Sequence, residues 1–212
     1  MDGLLFDTEA LYLNSVRSVS ASLGFTVSDE LVHSTIGRNY TDSRILMKSA
    51  LGPDFPYDEL MAASKVWMKE QMAENGPPEK SGIRILFDFL QTKNIPIALA
   101  TSTSEKTARH MIERAGLTRY FSAFAFGSEV KEGKPAPEIF LLARDRLGGF
   151  PSGDCAVFED SPAGLKAAHA AGMKSVFVKD LIEPEQAVLN QVWKRIDSLE
   201  TAASDSFFGI MQ

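Results

Sequence analysis

The side chains of this 212-residue chain that could do chemistry gather in four short stretches. Glu159 and Asp160 are adjacent carboxylates directly behind an apolar run at 155–158. Acids paired at the mouth of a buried strand repel one another unless a cation or an ammonium neutralises them. Lys134 stands between Gly133 and Pro135, with Pro137 beyond, so its backbone is constrained and its ammonium has a set place. Thr101, Ser102, Thr103 and Ser104 follow another apolar run and lead into a helix start. Hydroxyls, backbone N–H groups and the positive end of a helix together suit an anion. Asp2 and Asp7 add two acids near the start. Singly, each stretch has a plainer reading: a helix cap for the hydroxyls, surface charge for the lysine, an acidic turn for the pair. Together, acids, one lysine and a hydroxyl-rich helix start are the parts of a phosphoryl-transfer site. Oxygen ligands around a phosphate favour Mg²⁺, which keeps its waters and takes few protein carboxylates.

Positioning such groups requires a sheet whose strands end at one edge. After Gly82 the pattern alternates: a helix at 83–91, an apolar run at 95–100, and a helix whose face is Ala108, Met111, Ile112 and Ala115. A strand at 123–126, a helix at 137–147, a strand at 155–158, a helix at 162–171 and a strand at 174–178 complete the series. Alternating β and α with continuously apolar strands predicts a doubly wound parallel-sheet, Rossmann-like α/β core, covered on both faces. In such sheets ligands bind beyond the carboxyl ends of the strands, which is where all four stretches fall. Ser161 is placed to cap the helix that begins at Pro162.

The first third of the chain reads as helix. Tyr12, Val16, Val19 and Leu23 share one face, helical patterns follow at 29–35 and 42–51, and Gly37 separates them. A longer helix at 57–74 puts Leu60, Ala63 and Trp67 together and stops at Asn75-Gly76-Pro77-Pro78. The expected division is an α/β core at 1–8 and 80–212 with an all-α domain at 9–79. The tail at 201–212 is weakly patterned and is expected to pack loosely.

Composition narrows the class. Hydrophobic residues make up 44% and charged residues 24%, a globular balance. The net charge of −6 argues against a duplex nucleic-acid partner. No segment approaches the ~20 apolar residues of a membrane span, so no membrane partner is expected. The single cysteine, Cys155, fits a reducing, cytoplasmic setting, and a monomer is expected.

At these residues the chain resembles the haloacid dehalogenase-like hydrolases, the branch containing phosphoglycolate phosphatase and β-phosphoglucomutase. Asp2-Gly3 through Asp7-Thr8-Glu9 resembles that family's Asp-x-Asp-Gly loop from the x onward. Residues 97–101 match its hydrophobic strand ending in Thr or Ser. Gly133-Lys134-Pro135-Ala136-Pro137 matches its lysine loop, and Phe158-Glu159-Asp160-Ser161 through Gly164 its acidic motif. The helical segment resembles the branch's helical cap. The resemblance covers nearly the whole chain.

It implies a Mg²⁺-dependent phosphatase of a small phosphorylated metabolite, acting through an aspartyl-phosphate. Asp2 would serve as acid and base and lend its carbonyl to the metal. Gly3, Thr101 and the Ser102 amide would hold phosphate, Lys134 would bond nucleophile and phosphate, and Glu159 and Asp160 would bind Mg²⁺. Relatives that dehalogenate acids lack an aspartate at the Asp2 position, which sets that chemistry aside. Mutases of the branch carry an arginine a few residues past the glycine that Gly37 resembles. Here Arg38 follows directly and Tyr40 and Thr41 occupy that region, which favours phosphatase over the alternative, a β-phosphoglucomutase-like mutase. The family's first aspartate and its strand have no counterpart at Met1. The expectation is an in-frame strand ending in aspartate upstream; the alternative is a non-catalytic, phosphate-binding remnant. Tyr12, Arg38, Asn39, Lys65 and Lys69 are the candidates to face a substrate cleft.

Overall fold

The computed structural model describes residues 1–36, 38–180 and 182–209. They form two compact units, one of Met1–Phe6 with Glu79–Gln212 and one of Asp7–Pro78.

The second unit is helical throughout: α1 Thr8–Ser22, α2 Asp29–His33, α3 Tyr40–Leu51 and α4 Tyr57–Asn75. Local chemistry starts three of these helices. The side chains of Asp7, Ser28 and Asn39 accept the N–H groups of Ala10, Leu31 and Asp42, satisfying donors that a first helical turn leaves free. Val16, Val19, Val32, Met47, Phe55, Tyr57 and Leu60 form its core, with Tyr12, Leu23, Ala63 and Trp67 packed against them. The apolar faces read from the sequence are therefore the buried ones. Asn39 is spent as a cap, Arg38 donates Nε to the Ser34 carbonyl at 2.8 Å, and Lys65 and Lys69 are exposed. Gly37, the marker used to weigh a mutase, lies outside the described residues.

The first unit runs α5 Ile83–Thr92, β1 Ile97–Thr101, α6 Glu105–Arg114, β2 Phe121–Phe126, α7 Glu138–Arg146, β3 Ala156–Glu159, α8 Pro162–Ala170 and β4 Lys174–Val178. It ends with α9 Gln186–Leu189, β5 Lys194–Ile196 and α10 Asp205–Phe208. All strand pairs are parallel, as α/β alternation requires. They form two sheets, β1-β2 and β3-β4-β5, where the sequence suggested one. A shared apolar layer joins them: Ala125 of β2 and Val157 of β3 are buried with Ile139, Phe140 and Ala143 of α7 and Ala167 and Ala168 of α8. Leu165, Phe177 and Val188 make a second small cluster.

Two features depart from the periodicity reading. β5 is only three residues long and carries Lys194 and Arg195, too short and too charged to register as a strand pattern. Charge of this kind suits an edge strand, where it discourages pairing with other chains. The tail is also better packed than expected up to residue 209. Leu199, Ala202 and Phe207 are buried, and Phe207 and Phe208 lie against Phe158. Two adjacent aromatics are enough to anchor a short segment, although they make no periodic pattern.

Candidate active site

The carboxyl ends of β1 and β3 carry most of the candidate residues. β1 ends at Thr101, which is 3% exposed, and its Oγ1 accepts the Thr103 N–H at 3.1 Å. Ser104 is the cap of α6 and accepts the Thr107 N–H. Ser102 is exposed. Thr103 donates its hydroxyl to Asp2 Oδ2 at 2.7 Å. The hydroxyl run thus divides its work: one residue caps, one orients Asp2, and Thr101 tightens the turn between them.

Asp2 sits in a compact turn in which Leu5 donates its N–H to the Met1 carbonyl at 2.7 Å and Gly3 donates to Phe6 at 3.0 Å. Gly3 has φ +73°, and a Cβ there would collide with Asp160 Oδ2 and approach Asp180 Oδ2 to 2.9 Å. Only glycine allows the chain to pass this close to the two carboxylates.

β3 ends at Glu159, whose carboxylate is buried and fully engaged. Lys134 donates to Oε1, and Ser161 donates its N–H at 3.2 Å and its hydroxyl at 2.9 Å to Oε2. Gly164 passes so near that a Cβ would strike the same carboxylate. Burial alone would push Glu159 up. The Lys134 ammonium, the Met1 amino group and the bonds from Lys134 and Ser161 outweigh it and hold the carboxyl below its ordinary value. Lys134 also lies 4.7 Å from the Phe140 ring centre, an added hold on its position.

Asp160 is in the opposite situation. Burial, with Glu159 and then Asp180 adding like charge, pushes its carboxyl up to about 6. Asp180 is itself held by Lys80 at 2.6 Å. Neither Lys80 nor Asp180 was among the sequence candidates. The signal was present, because Asp180 follows β4 by two residues and so obeys the same strand-end rule. The buried Met1 amino group registers Glu159, Lys134, Asp160 and Asp2 at once. Burial chiefly lowers it, with Lys134 in the same direction and the three acids opposing. Lys134 bonds Glu159, and Asp160 packs against Gly3 next to Asp2, so these residues lie together. Asp7, the other early acid, caps α1 instead.

A buried Asp160 with excess negative charge around it is an environment that a hard dication would relieve. Every candidate donor is oxygen, as Mg²⁺ prefers. Among the described residues no group of three or more His, Cys, Asp or Glu side chains is gathered to hold a metal ion.

Parallel strands whose carboxyl ends gather hydroxyls, a buried lysine and clustered acids define an α/β protein with its candidate site at one sheet edge. A family model described as haloacid dehalogenase-like hydrolase matches residues 1–178. This chain belongs to that family. It is 34% identical over 177 residues to a phosphorylated carbohydrates phosphatase from Thermotoga maritima, covering 84% of this chain and 81% of the relative. It is 34% identical over 190 residues to (DL)-glycerol-3-phosphatase 2 of Arabidopsis thaliana, covering 85% and 77%. Among solved structures, a Thermotoga maritima protein provisionally named a β-phosphoglucomutase superposes with a TM-score of 0.81 at 30% identity, covering 100% of this chain and 97% of the other. No described helix is long and apolar enough to cross a membrane.

Proposed function

We propose that this site hydrolyses the phosphate monoester of a small phosphorylated sugar or polyol, with Mg²⁺ and through an aspartyl-phosphate. This reading takes its nucleophile from the aspartate that the family resemblance implies two residues ahead of Asp2. The observation that carries the proposal is the cluster at the end of β3: Lys134 bonded to Glu159, Asp160 packed against Gly3, and the neighbouring Asp2 held by Thr103. The relatives' names, which specify phosphorylated carbohydrates and glycerol-3-phosphate, support the substrate class.

In the first step a carboxylate oxygen bonds to phosphorus as the bond from phosphorus to the leaving oxygen breaks, and Asp2 gives that oxygen its proton. In the second, Asp2 takes a proton from water as the water oxygen displaces the carboxylate, releasing phosphate and restoring both acids. Thr103 keeps the Asp2 carboxylate aimed through these transfers. Thr101, the Ser102 amide and Gly3 hold phosphoryl oxygens. Lys134, oriented by Glu159, balances negative charge where charge accumulates, the main source of rate in phosphoryl transfer. Mg²⁺, when bound by Asp160 and the Asp2 carbonyl, with Glu159 at most through water, supplies neutralisation of phosphoryl oxygens. We place the enzyme in the cytoplasm, a reading supported by its one unpaired thiol, Cys155, and read it as a monomer.

The test is turnover of p-nitrophenyl phosphate with and without Mg²⁺ by the 212-residue chain and by a form extended upstream. Mg²⁺-dependent turnover by the extended form alone is expected. If neither form turns over, the site is a phosphate-binding remnant. Isomerisation of a hexose phosphate without phosphate release would make it a mutase.

A further inference from the structure

Lys80 meets the turn that carries Asp2 and Gly3 in two ways, one direct and one through Asp180. Its backbone N–H donates to the Leu5 carbonyl at 2.9 Å, beside the antiparallel bridge between Phe6 and Glu79. Its ammonium lies 2.6 Å from Asp180 Oδ1, and the two side chains are 25% and 9% exposed. Asp180 is anchored from the other direction. Lys179 donates its N–H to the Ile196 carbonyl at 2.9 Å and so extends the pairing of β4 with β5 to the residue before Asp180. The second Asp180 oxygen, Oδ2, faces Gly3 on the side that Asp160 Oδ2 also occupies.

Two carboxylates on one side of one glycine repel, and Asp180 is part of the like charge that Asp160 meets. The bond to Lys80 has two consequences there. It fixes the Asp180 carboxylate by one oxygen and leaves the other toward Gly3 and Asp160. It also sets a positive charge beside that carboxylate, so a cation at Asp160 would meet less negative charge than the acids alone present. With one oxygen committed to an ammonium, Asp180 acts as charge held near the cation rather than as its ligand.

We propose that Lys80 and Asp180 are positioning residues that set the dication affinity of Asp160, Asp180 by adding negative charge beside it and Lys80 by offsetting that charge. The inference rests on the reading of Asp160 as a metal-binding group, and it adds two residues that lie outside the four motif stretches. Charge and bracing make different predictions. If the pair only braced the turn, losing either partner would loosen it and weaken binding. If the pair acts through charge, losing the cation and losing the anion move affinity in opposite directions.

The probe is Mn²⁺, which takes the same oxygen donors as Mg²⁺ and whose free form is counted by electron paramagnetic resonance. It is titrated into the 212-residue chain and its variants, with Asp160→Asn identifying the site. Lys80→Met should tighten binding about fivefold or more, and Asp180→Asn, which leaves the ammonium behind, should weaken it by about the same factor. Lys80→Arg keeps the charge and should stay within about twofold of wild type, and the double variant Lys80→Met with Asp180→Asn should return toward wild type. If Lys80→Met does not fold, the double variant is compared with Asp180→Asn and should bind more tightly. Equal or weaker binding by the double variant would overturn the proposal. So would weakening by both single variants, or no shift in either, and wild-type binding that is lost in Asp160→Asn would then leave the metal reading standing. No Mn²⁺ binding by wild type, or binding that survives Asp160→Asn, would remove the metal reading and this inference with it.

Discussion

Lys134 and Glu159 form a buried ion pair, with their side chains 12% and 7% exposed, that ties the loop after β2 to the carboxyl end of β3. Ser161 occupies the second oxygen of Glu159, so the carboxylate is satisfied on both sides. The pair sets where the ammonium stands before any substrate arrives.

Breaking this pair on one side strands a buried charge. Lys134→Met should therefore destabilise the α/β unit by about 3–5 kcal/mol. The double variant Lys134→Met with Glu159→Gln should recover part of that loss, because no charge is left unpaired. Urea denaturation of the two variants checks this, and equal midpoints would contradict it.

Gly3 is a second sensitive point. Alanine there meets a left-handed backbone and the Asp160 carboxylate together. Gly3→Ala should cost about 1–3 kcal/mol in thermal or urea unfolding. A wild-type midpoint in this variant would show that the turn at Met1–Phe6 adapts freely.

Asp160 is the carboxylate with charge to spare, and a dication should stabilise the protein through it. With Mg²⁺ at about one hundred times its Kd, linkage gives about 2.7 kcal/mol of added stability. Asp160→Asn should abolish the Mg²⁺-dependent rise in Tm, whereas Asp7→Asn, at the α1 cap, should retain it. A full Mg²⁺ response in the Asp160 variant would place the metal elsewhere.

Glu129 is lowered from its ordinary 4.5 to about 2, first by hydrogen bonding to Arg146 and then by the Phe126 N–H, and it links β2 to α7. Because the folded form holds its proton less tightly than the unfolded form, the contribution to stability is complete above pH 4.5 and fades as pH falls through about 2. The Tm gap between wild type and Glu129→Gln should be present at about neutral pH and close across that window. A gap of constant size from neutral pH down to about 2 would contradict the assignment.

Much of this protein is readable along the chain because the information is local. Val16 and Val19 announce a buried helix face by spacing alone, Ser161 before Pro162 announces a helix start, and apolar runs announce parallel strands. The order of hydroxyls, lysine and acids along those strands carries the family resemblance. Phe207 and Phe208 escaped because two residues make no period, and the two-sheet arrangement escaped because periodicity does not report which edges pair.

The pairings that make a site belong to the tertiary structure. Thr103 meets Asp2 across 101 positions, Lys80 meets Asp180 across 100, and Lys134 meets Glu159 across 25. Glu159 and Asp160 look interchangeable in sequence. The fold separates them, because residues leaving a strand point to opposite sides. One finds an ammonium and a serine and is held ionised as an anchor; in the other, burial and like charge outweigh what opposes them. The sequence determined which chemical groups stand at the strand ends. Three-dimensional placement decided which carboxylate holds a lysine and which is left among burial and like charge.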